Sequence, residues 1–190
     1  MTEIPPEVPL DLDSITPKVL SKFTMGKIKE TDPRSELLIQ GAVASVRRHC
    51  GWHVSPPRED DFILDGRGGH IQRLPTLNVV EVTRVLDGGQ ELAYRTDYRW
   101  SQMGLLERMH GSWSRHYRDI EVTATHGHQD VPDIIAMILS VIARTMASPM
   151  GATREQAGAM SVVWANTSPG VAGGMVLLQT ELAMLSTFRL

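Results

Sequence analysis

His126-Gly127-His128 is the segment of this chain whose residue types come nearest to a metal site. Two imidazoles at positions i and i+2 of a strand project to one side and can share an ion, with Asp130 as a further ligand. Such a site would serve a metal-dependent hydrolase. The competing reading is a polar strand-to-helix turn in which Asp130 caps the helix that follows. The run Gly66-Arg67-Gly68-Gly69 invites comparison with a phosphate-binding loop. It lacks a following Lys-Ser/Thr, and no helix begins there, so a β-turn is expected instead. Cys50 lies near His49 and His53 and could be a thiol nucleophile. It also falls on the apolar arc of a helix, where an unpaired cysteine behaves as a small hydrophobe. Glu59, Asp60 and Asp61 form an acidic cluster, read either as a solvated loop or as a magnesium site. Arg95, Arg99, Arg108, Arg115 and Arg118 are interleaved with Tyr94, Tyr98, Trp100, Trp113 and Tyr117. That mixture suits single-stranded nucleic acid on a β surface, or a small β core with its arginines turned outward.

These residues are positioned by a simple order of elements. Thr16-Pro17 predicts a short helix to about Met25, and Asp32-Pro33 starts a longer one over 33–50. On a wheel of 100° per residue, Leu38, Ile39, Ala42, Val43, Val46 and Cys50 share one arc. Gly51 suits the left-handed residue after its end. From 60 to 125 the pattern turns to short β runs: Phe62–Leu64, Ile71–Leu74, Val79–Leu86, Leu92–Tyr94, Tyr98–Trp100, Leu105–Arg108 and Ile120–Thr125. Asp87-Gly88-Gly89 reads as a hairpin turn. In the last run Ile120, Val122 and Ala124 alternate with Glu121, Thr123 and Thr125, as in a half-buried strand. Together they predict a small antiparallel sandwich or barrel.

Val131-Pro132-Asp133 opens a second long helix, 132–148, whose polar stripe is only Asp133, Ser140 and Arg144. A helix that is apolar on most of its circumference must be covered on most sides. Neighbouring subunits and a central core position are both open as the source of that cover. Residues 153–175 are rich in Gly, Ala and Ser, carry Trp164, and read as a long arm. Helical period returns from Met175 to Phe188 in two stripes: Leu178, Leu182 and Leu185, then Leu177, Met184 and Phe188. The fold class is therefore α+β, with a β module inserted between the first two long helices, followed by an extended C-terminal arm and helix.

Bulk properties narrow the function classes. A net charge of −3 is not the footprint of a strongly basic nucleic-acid binder, although a protein can surround DNA without gripping it. The single cysteine excludes an intrachain disulfide and a thiolate zinc cluster. The opening MTEIPPEVPL lacks the basic-then-apolar pattern of an export signal. The apolar stretch Ile134–Ala147 is too short and too interrupted for a bilayer, so no membrane role is expected.

Several local phrases, in order, resemble the head–tail connector (head-completion or adaptor) proteins of tailed phages. They are Cys50-Gly51-Trp52-His53-Val54; Leu74-Pro75-Thr76-Leu77 with Val80-Glu81-Val82-Thr83-Arg84-Val85; Asp97-Tyr98-Arg99-Trp100 with Gly104-Leu105-Leu106-Glu107-Arg108; Ile120 to Gly127 running into Val131-Pro132-Asp133; Ser148-Pro149-Met150-Gly151 with Arg154-Glu155-Gln156; and a terminal helix ending at Leu185 and Phe188-Arg189. They span roughly residues 35 to 190. The resemblance implies a small helical bundle with a β insertion: an N-terminal arm 1–31, a connector core 32–152 and a C-terminal arm and helix 153–190. It implies a virion protein of the neck, assembled in the host cytoplasm, without enzyme activity or cofactor. Its implied partners are itself, as a dodecameric ring, the portal protein, a downstream neck or tail-terminator protein, and genomic DNA passing through the lumen. The expected contact residues are Ile135, Ile138, Ile142 and Met146 on the second long helix, with Trp164, Leu178, Leu182, Leu185, Phe188 and Arg189 toward the C-terminus. The rival functions are a nucleic-acid-binding β module and the His-based hydrolase.

Overall fold

The computed structural model describes residues 11–147, 154–157, 160–163 and 176–190, the stretches 154–157 and 160–163 as backbone. Trp164 and most of the expected arm lie outside the described residues. The chain divides into two compact units: Met1–His49 with Val131–Thr187, and Cys50–Asp130 with Phe188–Leu190. The first is helical and the second is built on β-structure, so the β module is inserted between the two long helices in an α+β chain.

In the helical unit, Thr16 starts α1 (Pro17–Phe23): its hydroxyl accepts from the Val19 N–H at 3.3 Å, with proline at the first helical position. The second helix, α2 (Ser35–Cys50), begins two residues later than the sequence suggests. Asp32 delays it by accepting from the Arg34 N–H at 2.9 Å while the Arg34 guanidinium closes on the same carboxylate. Those hydrogen bonds, side chain first, hold the Asp32 carboxyl down to about 2. Arg47 on α2 reaches Asp13, just ahead of α1, at 2.9 Å.

Helix α3 (Pro132–Ala147) starts where expected, residue 148 lying outside the described residues, and all its apolar side chains from Ile134 to Ile142 except the exposed Ala136 are buried. Two expectations fail further on. Within the Gly/Ala-rich arm, β8 (Arg154–Ala157) and β9 (Met160–Val163) pair antiparallel as a hairpin. The terminal helix α4 is only Gln179–Leu185, then a 3-10 turn over Ser186–Phe188. It starts late because Glu181 reaches back to accept from the Leu178 N–H at 2.7 Å, fixing Leu178 as the residue before the helix.

The β unit holds two antiparallel sheets. One has the order β1-β7-β3-β4 and the other β2-β6-β5. Strand β7 (Ile120–His126) is central: it pairs in unbroken register with β1 (Arg58–Leu64), and on its other side with β3 (Val79–Asp87), which is bulged twice. Its alternation is as read from sequence, with Ile120, Val122, Ala124 and His126 all buried. The Asp87-Gly88-Gly89 turn is also as read. Both glycines have positive φ, 61° and 77°, the type I′ geometry that suits the strand twist leading into β4 (Gln90–Glu91). The strand expected at Leu92–Tyr94 does not form. Instead Asp97 folds the chain back, its carboxylate accepting from the Ala93 N–H at 2.8 Å. In the second sheet β6 (Leu105–Arg108) lies between β2 (Ile71–Arg73) and β5 (Tyr98–Trp100). Val85 and Val122 of one sheet share a core with Tyr98 and Leu106 of the other, joined by Trp113, whose indole N–H donates to His70 O at 3.1 Å.

Candidate interaction surfaces

His126, Cys50 and the Gly66–Gly69 run each take part in packing or backbone pairing within the β unit. His126 is 2% exposed, its Nε2 2.8 Å from Asp60 Oδ2 and its Nδ1 3.1 Å from Thr76 Oγ1. Burial pushes the Asp60 carboxyl up, but hydrogen bonds from His126 and Arg58 outweigh it, so the net shift is downward. His128 has left the strand, although both imidazoles lie against the Trp52 ring. Strand β7 ends at His126, Gly127 turns the chain at φ +120°, and the His128 ring meets Trp52 and Phe188 edge-on at 5.6 and 5.5 Å. The i, i+2 argument fails because His128 is no longer on the strand. Among the described residues no group of three His, Cys, Asp or Glu side chains could hold a metal ion.

The other candidates resolve similarly. The amides of Gly66 and Gly68 donate to His116 O and Ser114 O at 2.9 and 3.0 Å. A Cβ at residue 66 would stand 2.3 Å from Ser114 O, so this run is glycine-rich to let two backbones touch. Cys50 is fully buried and desolvation pushes its thiol up to about 11, far from a reactive thiolate. Asp61 accepts from the Thr123 hydroxyl at 2.6 Å. The aromatic set splits: Tyr98 and Trp113 are core, Arg108 lies 5.5 Å over the Trp113 ring, and Arg95 lies 5.3 Å over the exposed Tyr94. Tyr94 and Tyr117 stay exposed and Trp100 half-buried, so with Tyr98 and Trp113 in the core the five aromatics are not one continuous open row.

The residues expected to meet a partner divide in the same way. Ile135, Ile138 and Ile142 are 3%, 1% and 0% exposed within the single chain, and Leu185 is 0% exposed. These are core side chains, so the cover that the second long helix needs comes from its own chain. Helix α4 is tied down by charge as well. The Arg144 guanidinium grips Glu181 at 3.0 and 3.2 Å and Val176 O at 3.0 Å. Thus one carboxylate both caps α4 and pairs with α3.

Phe188 belongs to the β unit: its carbonyl accepts from the Trp52 indole at 2.6 Å, and Leu190 N–H donates to Cys50 O at 3.0 Å. Met146, Leu178, Leu182 and Phe188 are half-buried, and Arg189 is exposed. Several open apolar side chains are ones the sequence pattern did not single out as contacts: Met25 at 85% and Leu37 at 72% in the helical unit, and Ile71 at 59%, Met103, Val80 and Ile63 in the β unit. Leu37 could have been noticed, since it falls off the apolar arc of α2. No helix among the described residues is long and apolar enough to cross a membrane.

No family model matches the sequence, and no curated protein matches it. The fold does match solved structures. One is a chain of the neck of an empty gene transfer agent (GTA) particle, computed with C6 symmetry: 14% identity, TM-score 0.56, covering 96% of this chain and 93% of that one. Another is a chain of the neck of a native GTA particle, computed with C12 symmetry: 14% identity, TM-score 0.55, covering 96% and 95%. At that identity the likeness is one of fold.

Proposed function

We propose that this chain is a structural subunit of the neck of a tailed-phage-like particle. In this reading it forms a ring beneath the portal, extends the DNA channel and offers a platform to the next neck or tail-terminator protein. The carrying observation is the end-to-end fold match, covering 96% of this chain and 93% or 95% of chains from two necks. It is a likeness of a whole chain to whole chains rather than of one common module. The C6 and C12 symmetries of those necks favour a ring whose copy number is a multiple of six, and the twelvefold one favours a dodecamer. The net charge of −3 is compatible with a wall past which DNA slides, because a strongly basic lumen would retain phosphate.

The chemistry-bearing residues support a non-catalytic part, since His126, Cys50 and the Gly66–Gly69 run each serve packing or backbone pairing. Contacts between copies and with the portal are assigned to the surface one chain leaves open: Leu37 and Met25, with Met146, Leu178, Leu182 and Arg189.

Negative-stain imaging of the purified chain with and without the matching portal tests the reading. The expected result is a ring of sixfold or twelvefold symmetry seated on the portal. A portal that stays bare at saturating concentrations of the chain ends it. Deleting 175–190 is a poor test of docking, because Leu185 is core and Phe188 and Leu190 are bonded into the β unit.

A further inference from the structure

Each sheet of the β unit ends in two edge strands, and one from each sheet, β1 and β2, lines the same cleft. Strand β1 pairs only with β7, and β2 only with β6. Between them lies a cleft of about 710 Å³ whose lining includes Ile63 of β1, Ile71 and Arg73 of β2, and Leu190.

Hydrogen-bond parity shows which backbone groups face it. Arg108 N–H donates to His70 O, and Leu74 N–H to Gly104 O, so the even-numbered residues of β2 face β6. The N–H and C=O of Ile71 and Arg73 therefore point away from their sheet. On the other sheet, Gly127 N–H donates to Asn78 O and Gly88 N–H to Asp119 O, so odd-numbered residues of β7 face β3. Its even-numbered residues face β1, pairing Phe62 with Val122 and Leu64 with Ile120, and the backbone of Ile63 is turned outward. Unpaired donors and acceptors beside half-exposed isoleucines form a template for an added strand.

Charge narrows the occupant. Arg67, Arg73 and Arg118 line the cleft, and none of the three is ion-paired among the described residues. Against them stands one acidic side chain in the lining, Asp65, which accepts from the Arg118 backbone N–H at 3.0 Å. The fitting ligand is an extended, acidic, partly apolar peptide. The chain carries one in Thr2-Glu3-Ile4-Pro5-Pro6-Glu7-Val8-Pro9-Leu10, outside the described residues: two glutamates, no basic side chain, and three aliphatic residues. Its three prolines reduce the entropy lost when such a segment is held extended.

We propose that residues 2–10 of one copy lie in the cleft between β1 and β2 of the next copy. Each copy would then give an arm and receive one, a head-to-tail contact that closes in a ring. The inference rests on the ring reading above.

The test uses full-length chains, Ile4→Cys on one and Ile71→Cys on another, mixed under mild oxidation. A disulfide-linked dimer of the two variants is expected. Its yield should fall about tenfold with Glu3→Lys and Glu7→Lys on the arm, and recover when Arg73→Glu and Arg118→Glu are placed on the receiving chain. A synthetic Thr2–Leu10 peptide should suppress it. No mixed dimer, a yield indifferent to both charge reversals, or a disulfide formed only inside a double variant at high dilution would each overturn the proposal. Rings seated on the portal without the cross-link sink this inference alone. A portal left bare while the charge-dependent cross-link forms sinks the proposed function alone.

Discussion

Helix α3 and the edge strands β1 and β2 answer the question of exposed apolar surface in opposite ways. The helix is the most apolar segment of the chain, yet its large aliphatic side chains from Ile134 to Ile142 are buried within one copy. The strands are short and mixed in character, yet they leave Ile63 and Ile71 half open with unpaired backbone beside them. How apolar a segment is tells how much cover it needs, not who supplies it. A helix satisfies its own backbone and needs only its sides covered, whereas a sheet always ends in two edges that need a partner or water.

The largest expected effect tests the covered side of this comparison. Ile138→Ala should cost about 2–5 kcal/mol, the usual penalty for a cavity at a fully buried aliphatic, read from urea denaturation of the isolated chain. A loss of only a few tenths would mean that α3 is not core and would revive it as a contact between copies. Next is Glu181→Ala, which removes the cap of α4 and leaves Arg144 without its carboxylate. A loss of about 1–3 kcal/mol is expected, with faster amide exchange confined first to α4.

Acid should act on the β unit through Asp60. Its carboxyl titrates lower in the folded chain than in the unfolded one. It therefore contributes stability that is present above its unfolded value, roughly pH 4, and is lost as the pH falls through the depressed folded value. Denaturation midpoints at pH 6 and pH 3 should differ less in Asp60→Asn than in the parent. The smallest effect on stability belongs to the open side. Leu37→Ala and Ile63→Lys should each change it by no more than about 0.5 kcal/mol, while Leu37→Ala reduces ring formation on the portal. If either unfolded the chain, the contrast between covered helix and open edge would disappear.

Much of the fold was legible because local rules and tertiary packing agree there. Thr16-Pro17 and Val131-Pro132-Asp133 mark helix starts by capping and by the fixed φ of proline, and both helices begin there. Gly88-Gly89 marks a hairpin by needing positive φ. The alternation in Ile120–His126 places β7 with one face inward. Where the reading failed, a long-range or side-chain interaction had overridden local pattern. Asp97 folds the chain where Leu92–Tyr94 looked extended. The β8–β9 hairpin was hidden because its strands, Arg154–Ala157 and Met160–Val163, are four residues each, too short for a period to show amid Gly, Ala and Ser. Ile135, Ile138 and Ile142 announced only that they must be buried, and the chain itself buries them.

By itself, then, the sequence determined the order of the main helices and the insertion of a β module between the two long ones, since these follow from backbone preferences and period. Only the tertiary structure decided what His126 and Cys50 are for, which carboxylate holds α4, and which sheet edges stay open. Each of those depends on residues tens of positions apart, such as Asp60 with His126 or Arg144 with Glu181, and no local pattern encodes a meeting of that kind.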